Sequence, residues 1–423
     1  MILRSMCAAA LAAGVFVSSA RVRAEENSRA PALTLDAAIR RALEKNVDVA
    51  LATADVEERK GRLHAAKALL PGNPEIEVSQ GRRTDDAGGE TTDVSAGVSQ
   101  EIEIGLQRGS RKDAARAELA RVEAILDGQR LRIAADVRAA FLLVLAAREK
   151  VRYGEQVEGL GKSLYDAAKR REDAGSGTAL ETNLAKIEWG DAKRSRIAAQ
   201  RELAERTAEL GRLLSLKPVE MGTPQGDLRP PATRSLSLDT FRKKVRERSP
   251  SVRASARAKE AARAELTLAR KEVIPNLTVR GGWDFEADGA EEIVGVGVSV
   301  PIPLFQRNQA GIGAAKAQVR RAEAEQGFLD ASLEQEIDVA WQRSQATREE
   351  LEVFDEDILK QVEENLRLLQ SSLSAGKSNL LEVIVVQRRL VDTRRDYLDA
   401  LVAAGGADAE MERLLGADEG APR

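Results

Sequence analysis

Val94-Ser95-Ala96-Gly97-Val98-Ser99-Gln100-Glu101-Ile102 alternates apolar and polar residues, and a similar stretch, Val294–Ile302, occurs 200 residues later. Only a β-strand sorts side chains onto two faces with a period of two. Gly97-Val98-Ser99 returns as Gly297-Val298-Ser299, and other short motifs return at offsets between 200 and 203 residues. Solenoid repeats run to roughly 20–50 residues, so this longer period indicates two copies of one structural unit.

Each copy is predicted to contain a leading helix, two strands, a very long helix, a turn and a return helix. The first repeat spans 33–216, a linker covers 217–235, the second repeat spans 236–416, and a tail covers 417–423. In chain order, the predicted elements after each leading helix are strands at about 74–84 and 91–104, a long helix at 106–174 and a return helix at 178–215, then strands at about 275–286 and 292–303, a long helix at 305–375 and a return helix at 379–415.

The helix lengths predict how the columns are arranged. The long helices contain no proline, so each is expected to extend about 100 Å at about 1.5 Å per residue. The leading helices, at 35–70 and 239–273, and the return helices are about half as long. A return helix stacked on a leading helix would match one long helix, which favours a bundle of four columns.

Residues 1–24 have the pattern of a secretory signal peptide. Arg4 precedes an apolar run over 7–19, and cleavage is equally compatible with the small residues Ala20 and Ala24. Cys7, the single cysteine of the chain, lies inside this segment in a context unlike that of a lipoprotein. The prediction is export to the cell envelope, without disulfides or a covalent lipid.

The composition argues against nucleic-acid binding and catalysis. Charged residues make up 31% of the chain and both signs are interspersed, so no basic stripe for nucleic acid is present. His64 is the single histidine and lies in a predicted helix, which favours a surface residue over a metal ligand. No nucleophile–base arrangement or nucleotide-binding motif is found. We therefore predict that the protein is not an enzyme and binds no cofactor or metal at a dedicated site.

The alternating strands point to a membrane. An outer-membrane barrel places its apolar face against lipid and its polar face in the lumen. Four strands cannot close a barrel, and open edges in hydrocarbon leave backbone groups without hydrogen bonds. Eight strands leave little room inside and twelve leave a lumen, so a trimer fits a channel. The alternative is that the strands cap a soluble helical bundle.

The chain resembles the TolC-like outer-membrane export ducts over almost its whole length after the signal peptide. The resemblance is carried by the starts of the two copies and by the turns between the long and return helices. The segments are Leu33–Ala38, Lys45–Asp48, Ser249–Val252, Ala174–Glu181 and Ala375–Glu382.

Within that family, Val298–Gly311 is most similar to the cobalt–zinc–cadmium heavy-metal branch. The first copy departs from this branch, because Gln100–Arg108 lacks the two prolines at 301 and 303. The missing lipoprotein signal is a second departure from many members.

The resemblance implies a mainly α fold with a small β part. It implies a homotrimer with a twelve-stranded barrel in the outer membrane of a Gram-negative bacterium and a helical tunnel across the periplasm. The implied partners are a periplasmic adaptor protein, an inner-membrane pump of the RND type, and outer-membrane lipid. The implied function is that of the passive outer-membrane channel of a tripartite efflux system for heavy-metal cations. Two alternatives remain, a duct of the same fold for drugs or secreted polypeptides, and a soluble periplasmic coiled-coil adaptor or scaffold.

The resemblance places the functional residues at the turns that join the long and return helices, which form the periplasmic tips. Glu382, with its first-copy counterpart Glu181, is the candidate for a ring of carboxylates at the narrowest aperture. An acidic residue that favours a helix N-terminus is the competing interpretation. A second family acid, one turn further on, is Val385 here. The expected adaptor-docking residues are Gly175, Gly177, Thr178, Ala179, Leu180, Gly376, Asn379, Leu380 and Leu381.

Overall fold

The computed structural model describes residues 32–84, 89–229, 237–286, 291–354, 356–374 and 380–416. The predicted signal peptide 1–24, the tail 417–423 and part of the linker lie outside these residues. The described helices and strands are, in order, α1 Leu35–Lys45, α2 Val47–Ala66, β1 Glu75–Thr84, β2 Glu90–Ile102, α3 Gln107–Asp173, α4 Ala179–Leu213, α5 Leu238–Arg248, α6 Pro250–Lys271, β3 Leu277–Glu286, β4 Glu291–Ser299, α7 Gln309–Val353, α8 Glu356–Ser374 and α9 Leu380–Leu415.

The predicted mainly α fold with a small β part is confirmed. The elements follow the same order in both copies, from leading helices through two strands to a long helix and a return helix. Among the described residues, no helix combines the length and the hydropathy that a membrane-spanning helix needs.

The two copies also share unusual backbone positions. A left-handed residue precedes each long helix, Leu106 with φ 62° before α3 and Asn308 with φ 53° before α7. Another follows each return helix, Ser215 with φ 51° after α4 and Gly416 with φ 79° after α9. Because residues other than glycine rarely adopt positive φ, these matching positions show that the backbone follows the same path in both copies.

The leading helix of each copy is broken once, where one continuous helix was predicted. Asn46 separates α1 from α2 and Ser249 separates α5 from α6, each with ψ near 130°. The Asn46 side chain accepts a hydrogen bond from Asp48 N at 2.9 Å and so caps α2. Pro250 begins α6 and disfavours helical geometry at the residue before it. Both breaks therefore have local causes.

The second long helix does not run unbroken over the predicted 305–375. It begins at Gln309, and α7 ends at Val353 before α8 begins. Phe354 leaves helical geometry, with φ −91° and ψ 43°, and its ring packs against Tyr397 of α9 with centroids 5.9 Å apart. This tertiary contact overrides the local preference for a helix.

The four strands form one antiparallel sheet in the order β1-β2-β3-β4. Side chains of directly paired residues lie on the same face of a sheet. The register therefore collects the apolar residues on one face, with Ile76 opposite Val98 and Trp283 opposite Val294. That face carries Ile76, Val78, Val94, Ala96, Val98, Ile102, Leu277, Val279, Trp283, Phe285, Val294, Val296 and Val298.

The opposite face of the sheet is polar. The hydroxyls of Ser79 and Ser95 are hydrogen-bonded at 2.6 Å across β1 and β2. Arg83 forms an ion pair with Asp93 at 3.1 Å and approaches Glu286 of β3 at 3.5 Å. The sheet thus has one lipid-compatible face and one water-compatible face, as the alternation in the sequence predicts.

The helices form columns in which a return helix stands on a leading helix. Asn46 donates from Nδ2 to the carbonyl of Leu213 at 3.1 Å, and Ser215 donates from Oγ to the carbonyl of Lys45 at 2.9 Å. These contacts join the end of α4 to the start of α2, and Asn46 satisfies a carbonyl that the helix end leaves open. In the second copy, the position of a Cβ on Gly416 would be 2.9 Å from the carbonyl oxygen of Arg248 and 3.7 Å from Pro250 Cδ, so the end of α9 meets the junction of α5 and α6.

The order of the columns follows from their contacts. α3 packs against α2, α4, α6 and α9, whereas α7 packs against α6 and α9. α2 and α7 therefore lie in the two edge columns of the subunit, while nearer the tips α8 also packs against α3 and α4 against α9. The chain runs from α2 into β1 and from β4 into α7, so each edge column is joined to an edge strand of the sheet.

Close packing of α3 against α4 depends on glycine. The position of a Cβ on Gly161 would be 3.3 Å from the Cα of Trp189, and one on Gly154 would be 3.3 Å from the Cα of Arg196. Contacts this short to backbone atoms are tighter than most, so a side chain at either position requires α4 to move away by at least a few tenths of an ångström. The Trp189 ring then stacks on Tyr165 with centroids 5.6 Å apart.

We expect Gly161→Leu to lower the free energy of unfolding by about 1–3 kcal/mol, because overpacking pushes α4 away from α3. Gly159→Leu is the matched control: no atom lies within 4 Å of its Cβ position, and leucine, a good helix former, should stabilise the helix by about 0.5–1 kcal/mol. Urea unfolding in detergent measures both values. Equal effects of the two substitutions would show that the close approach is not needed.

Candidate functional site at the helical tips

The first tip is a tight turn built by glycine. Gly175 has φ 71°, and its N–H donates to the carbonyl of Glu172 at 2.9 Å while that of Ser176 donates to Arg171 at 2.8 Å. This is the left-handed termination that glycine favours at helix ends. Gly177 packs against the backbone of Glu172, where the position of a Cβ would be only 3.0 Å from a backbone nitrogen. Both glycines therefore shape the turn.

Thr178 and Glu181 cap the start of α4 reciprocally. Glu181 N–H donates to Thr178 Oγ1 at 3.2 Å, and Thr178 N–H donates to Glu181 Oε2 at 3.2 Å. Two N–H groups that α4 leaves open are thereby satisfied. The Glu181 carboxylate is committed to this cap, which favours the helix-terminus interpretation over a role at the aperture.

The second tip is described from Leu380 onward, and Gly376 and Asn379 lie outside the described residues. Leu381 is 57% exposed, and Leu180 of the first tip is 77% exposed. Glu382 is exposed in the first turn of α9, with exposed Val385 one turn further along the helix. Each tip thus presents a leucine to solvent, and the second also presents a carboxylate.

Behind the exposed residues, the two tips are joined by an apolar cluster. Val383 and Ile384 of α9 are buried against Leu164 of α3 and Ala185 of α4. The cluster also contains Leu160 and Ala168. The first turn of α9 is therefore held on the first hairpin by its buried face, while Glu382 stays on its open face.

Further from the tip, an ion pair joins the two repeats of the same chain. Arg388 of α9 donates to Glu188 of α4 through two nitrogens, with 3.1 Å from Nε to Oε2. The Glu188 side chain is 9% exposed, and its carboxylate raises the pKa of the Arg388 guanidinium by hydrogen bonding and Coulomb attraction. This pair was not predicted, because no local pattern links two residues 200 positions apart.

The structure places His64 on the exposed surface of α2. Within the described ranges, no group of three or more His, Cys, Asp or Glu side chains is arranged to hold a metal ion.

Comparison with known proteins agrees with this architecture. The chain matches the family of outer membrane efflux proteins over residues 9–215 and 242–417, and it belongs to that family. It is an outer-membrane efflux channel, which confirms the predicted family, the channel function and the outer-membrane location over the soluble scaffold.

Among curated relatives, the cobalt-zinc-cadmium resistance protein CzcC of Cupriavidus metallidurans is 27% identical over 384 residues, covering 91% of this chain and 90% of CzcC. The nickel-cobalt-cadmium resistance protein NccC of Alcaligenes xylosoxydans is 25% identical over 54% of this chain and 51% of NccC. A crystal structure of CusC, described in terms of transmembrane channel formation, has the same fold, with a TM-score of 0.75 and 18% identity over 91% of this chain and 92% of CusC.

Proposed function

We propose that three copies of this chain form a passive duct that carries heavy-metal cations from the periplasm across the outer membrane. The duct works with a periplasmic adaptor and an inner-membrane pump of the RND type, and does no chemistry of its own. The observation that carries this proposal is the sorted sheet, because its apolar face is exposed and its edges are open.

The apolar face has the dimensions of a bilayer. β3, which carries part of this apolar band, spans ten residues, Leu277–Glu286. A transmembrane β-strand tilted by about 45° needs about 9–11 residues. Val296, near the middle of this band, is 81% exposed. Lipid is the environment that such a face fits.

The edges of the subunit support closure by further copies. β1 and β4 each pair on one side only within the described chain. The edge helix columns beside them expose large apolar side chains, among them Val47 and Leu51 of α2 and Phe328 and Val339 of α7. Exposed apolar side chains of this kind mark protein contacts. Three copies supply twelve strands, which leave a lumen.

The tips support docking of an adaptor. Leu180 and Leu381 are exposed at the ends of two hairpins that are joined by a buried apolar cluster. The proposed docking surface consists of both turns, Gly175–Leu180 and Gly376–Leu381. A helical hairpin of the adaptor would bury the two leucines.

We propose that Glu382 of each copy contributes to a ring of three carboxylates at the aperture. Glu382→Gln is expected to lower the cation-to-anion permeability ratio about two- to fivefold, the ratio for roughly 0.4–1 kcal/mol of Coulomb energy in a water-filled lumen. The reversal potential in a planar bilayer under a salt gradient measures it.

Glu181→Gln is the matched control for this substitution. Glutamine can replace glutamate in a capping box, so we expect permeability to stay unchanged. A larger effect from Glu181→Gln than from Glu382→Gln would move the ring to the first tip.

The cargo is tested by deletion and complementation. A strain that lacks the gene should accumulate cobalt, zinc or cadmium and lose tolerance to them, and the wild-type gene should restore both, with cell metal measured by mass spectrometry. Restored tolerance to organic drugs alone, or restored secretion of a polypeptide alone, would assign the duct to those cargoes.

The native mass of the protein from outer membranes in detergent tests the trimer.

A further inference from the structure

The open edges of the sheet, β1 and β4, are where one copy of the whole chain would pair with the next. This inference rests on the proposed trimer and assigns its contact residues. The edges are β1 and β4, so closure requires β4 of one copy to pair with β1 of another.

The sheet consists of two equivalent hairpins, β1–β2 and β3–β4. Ser99 of β2 pairs with Glu75, and its counterpart Ser299 of β4 pairs with Thr278. Positions in β2 therefore correspond to β4 at an offset of 200, and positions in β1 correspond to β3 at an offset of 203. The second offset is also that between the helix breaks at Asn46 and Ser249.

The contact between the two hairpins supplies the template for the contact between copies. Inside the chain, Val98 of β2 pairs with Gly281 of β3. Val98 corresponds to Val298 of β4 at the offset of 200, and Gly281 corresponds to Val78 of β1 at the offset of 203. In the same way, the neighbouring pair of Gln100 with Val279 corresponds to Val300 with Ile76. We propose that β4 of one copy pairs antiparallel with β1 of the next, with Val298 opposite Val78 of the partner subunit.

The proposed register keeps the two faces of the sheet, as do the internal pairs from which it is derived. Val298 and Val78 both lie on the apolar face, so the new pair joins one apolar side chain to another. A slip by one residue would turn the apolar face of one strand toward the polar face of the other. A slip by two residues keeps the faces, so only the internal duplication selects among the even registers.

The same symmetry predicts a helix contact below the sheet. Within the chain, α3 packs against α6 where Gly128 faces Pro250, with 3.4 Å from the position of a Gly128 Cβ to the proline Cβ. The core positions of α3 and α7 correspond at an offset of 200, as in Val137 and Ile337. Gly128 thus corresponds to Phe328, and Pro250 to Val47.

Phe328 is 76% exposed and Val47 is 62% exposed in the subunit. The seam between copies therefore brings Phe328 of one copy against Val47 of the partner subunit. A large ring takes the place of a glycine, so the helices of the seam stand further apart than α3 and α6.

Disulfide formation tests the register. In a Cys7→Ser background, Val298→Cys combined with Val78→Cys should give covalently linked trimers on non-reducing gels after mild oxidation. Directly opposed Cβ atoms lie about 4.5–5.5 Å apart, whereas diagonal neighbours lie about 7–8 Å apart, beyond the reach of an unstrained disulfide. Val298→Cys with Ile76→Cys, and Val298→Cys with Gln80→Cys, are the matched off-register controls.

Val47→Cys with Phe328→Cys tests the helix contact independently of the strands. Efficient linkage in a control pair, or no linkage in any pair of a protein whose native mass is that of a trimer, would overturn the register. A monomer by native mass in the wild-type protein would instead refute the proposed trimer. The native mass of the reduced variants shows that each substitution leaves assembly intact.

Discussion

Val296→Arg is expected to lower the stability of the protein in lipid by about 2–4 kcal/mol per copy, the cost of arginine at the bilayer midplane on a barrel exterior. Val296 lies midway along the apolar band and is exposed to whatever surrounds the sheet. In the proposed trimer, the substitution places three guanidinium groups in hydrocarbon at once. Urea unfolding in lipid vesicles and the fraction recovered in outer membranes measure the effect.

Ser95→Arg is the control on the polar face of the same sheet. Ser95 pairs with Asp284, so the new charge faces a carboxylate in a wet lumen, and the expected cost is the lost hydrogen bond to Ser79, about 1 kcal/mol. If both variants reach the outer membrane equally and unfold alike, the apolar face does not contact lipid.

Arg388→Ala is expected to cost about 2–3 kcal/mol of the free energy of unfolding. It leaves the carboxylate of Glu188 enclosed between the hairpins without its guanidinium partner, and an unpaired buried charge is costly. The value lies below the usual range for a fully buried pair because the Arg388 side chain is itself largely exposed, so water reaches the site. Chemical unfolding of the protein in detergent measures this loss.

Arg389→Ala removes the same charge from the next residue of α9, which points to solvent. We expect a change within about 0.5 kcal/mol, as for other surface substitutions. If the two arginine variants are equally stable, the ion pair between the two repeats contributes nothing to the free energy of unfolding. The double variant with Glu188→Gln should recover part of the loss.

Much of the fold could be predicted because it depends on periodic patterns. The alternation in Val94–Ile102 predicts a strand without knowledge of its neighbours, because only a strand sorts side chains with a period of two. It also fixes which face is apolar, since a shift of the pairing by one residue would reverse the two faces. The long apolar stripes of α3 and the duplication at 200 residues likewise need no tertiary information. The breaks at Asn46 and Phe354 were missed, because capping and an aromatic contact outweigh a continuous helical pattern.

The candidate site divides in the same way. Gly175 and the pair Thr178 and Glu181 carry local signals, a left-handed turn and a capping box, which act within a few residues. The burial of Val383 and the pairing of Glu188 with Arg388 carry no such signal. They depend on how the second hairpin docks on the first.

The sequence by itself determined the duplicated order of elements, the two faces of every strand and the turn chemistry of the first tip, because these depend on neighbours a few residues away. Tertiary structure alone decided the register between β2 and β3, the contacts that place α4 on α2 rather than on another leading helix, and the ion pair between the two repeats. These contacts join residues more than 160 positions apart. Their energy comes from packing and hydrogen bonds that exist only once the columns stand side by side.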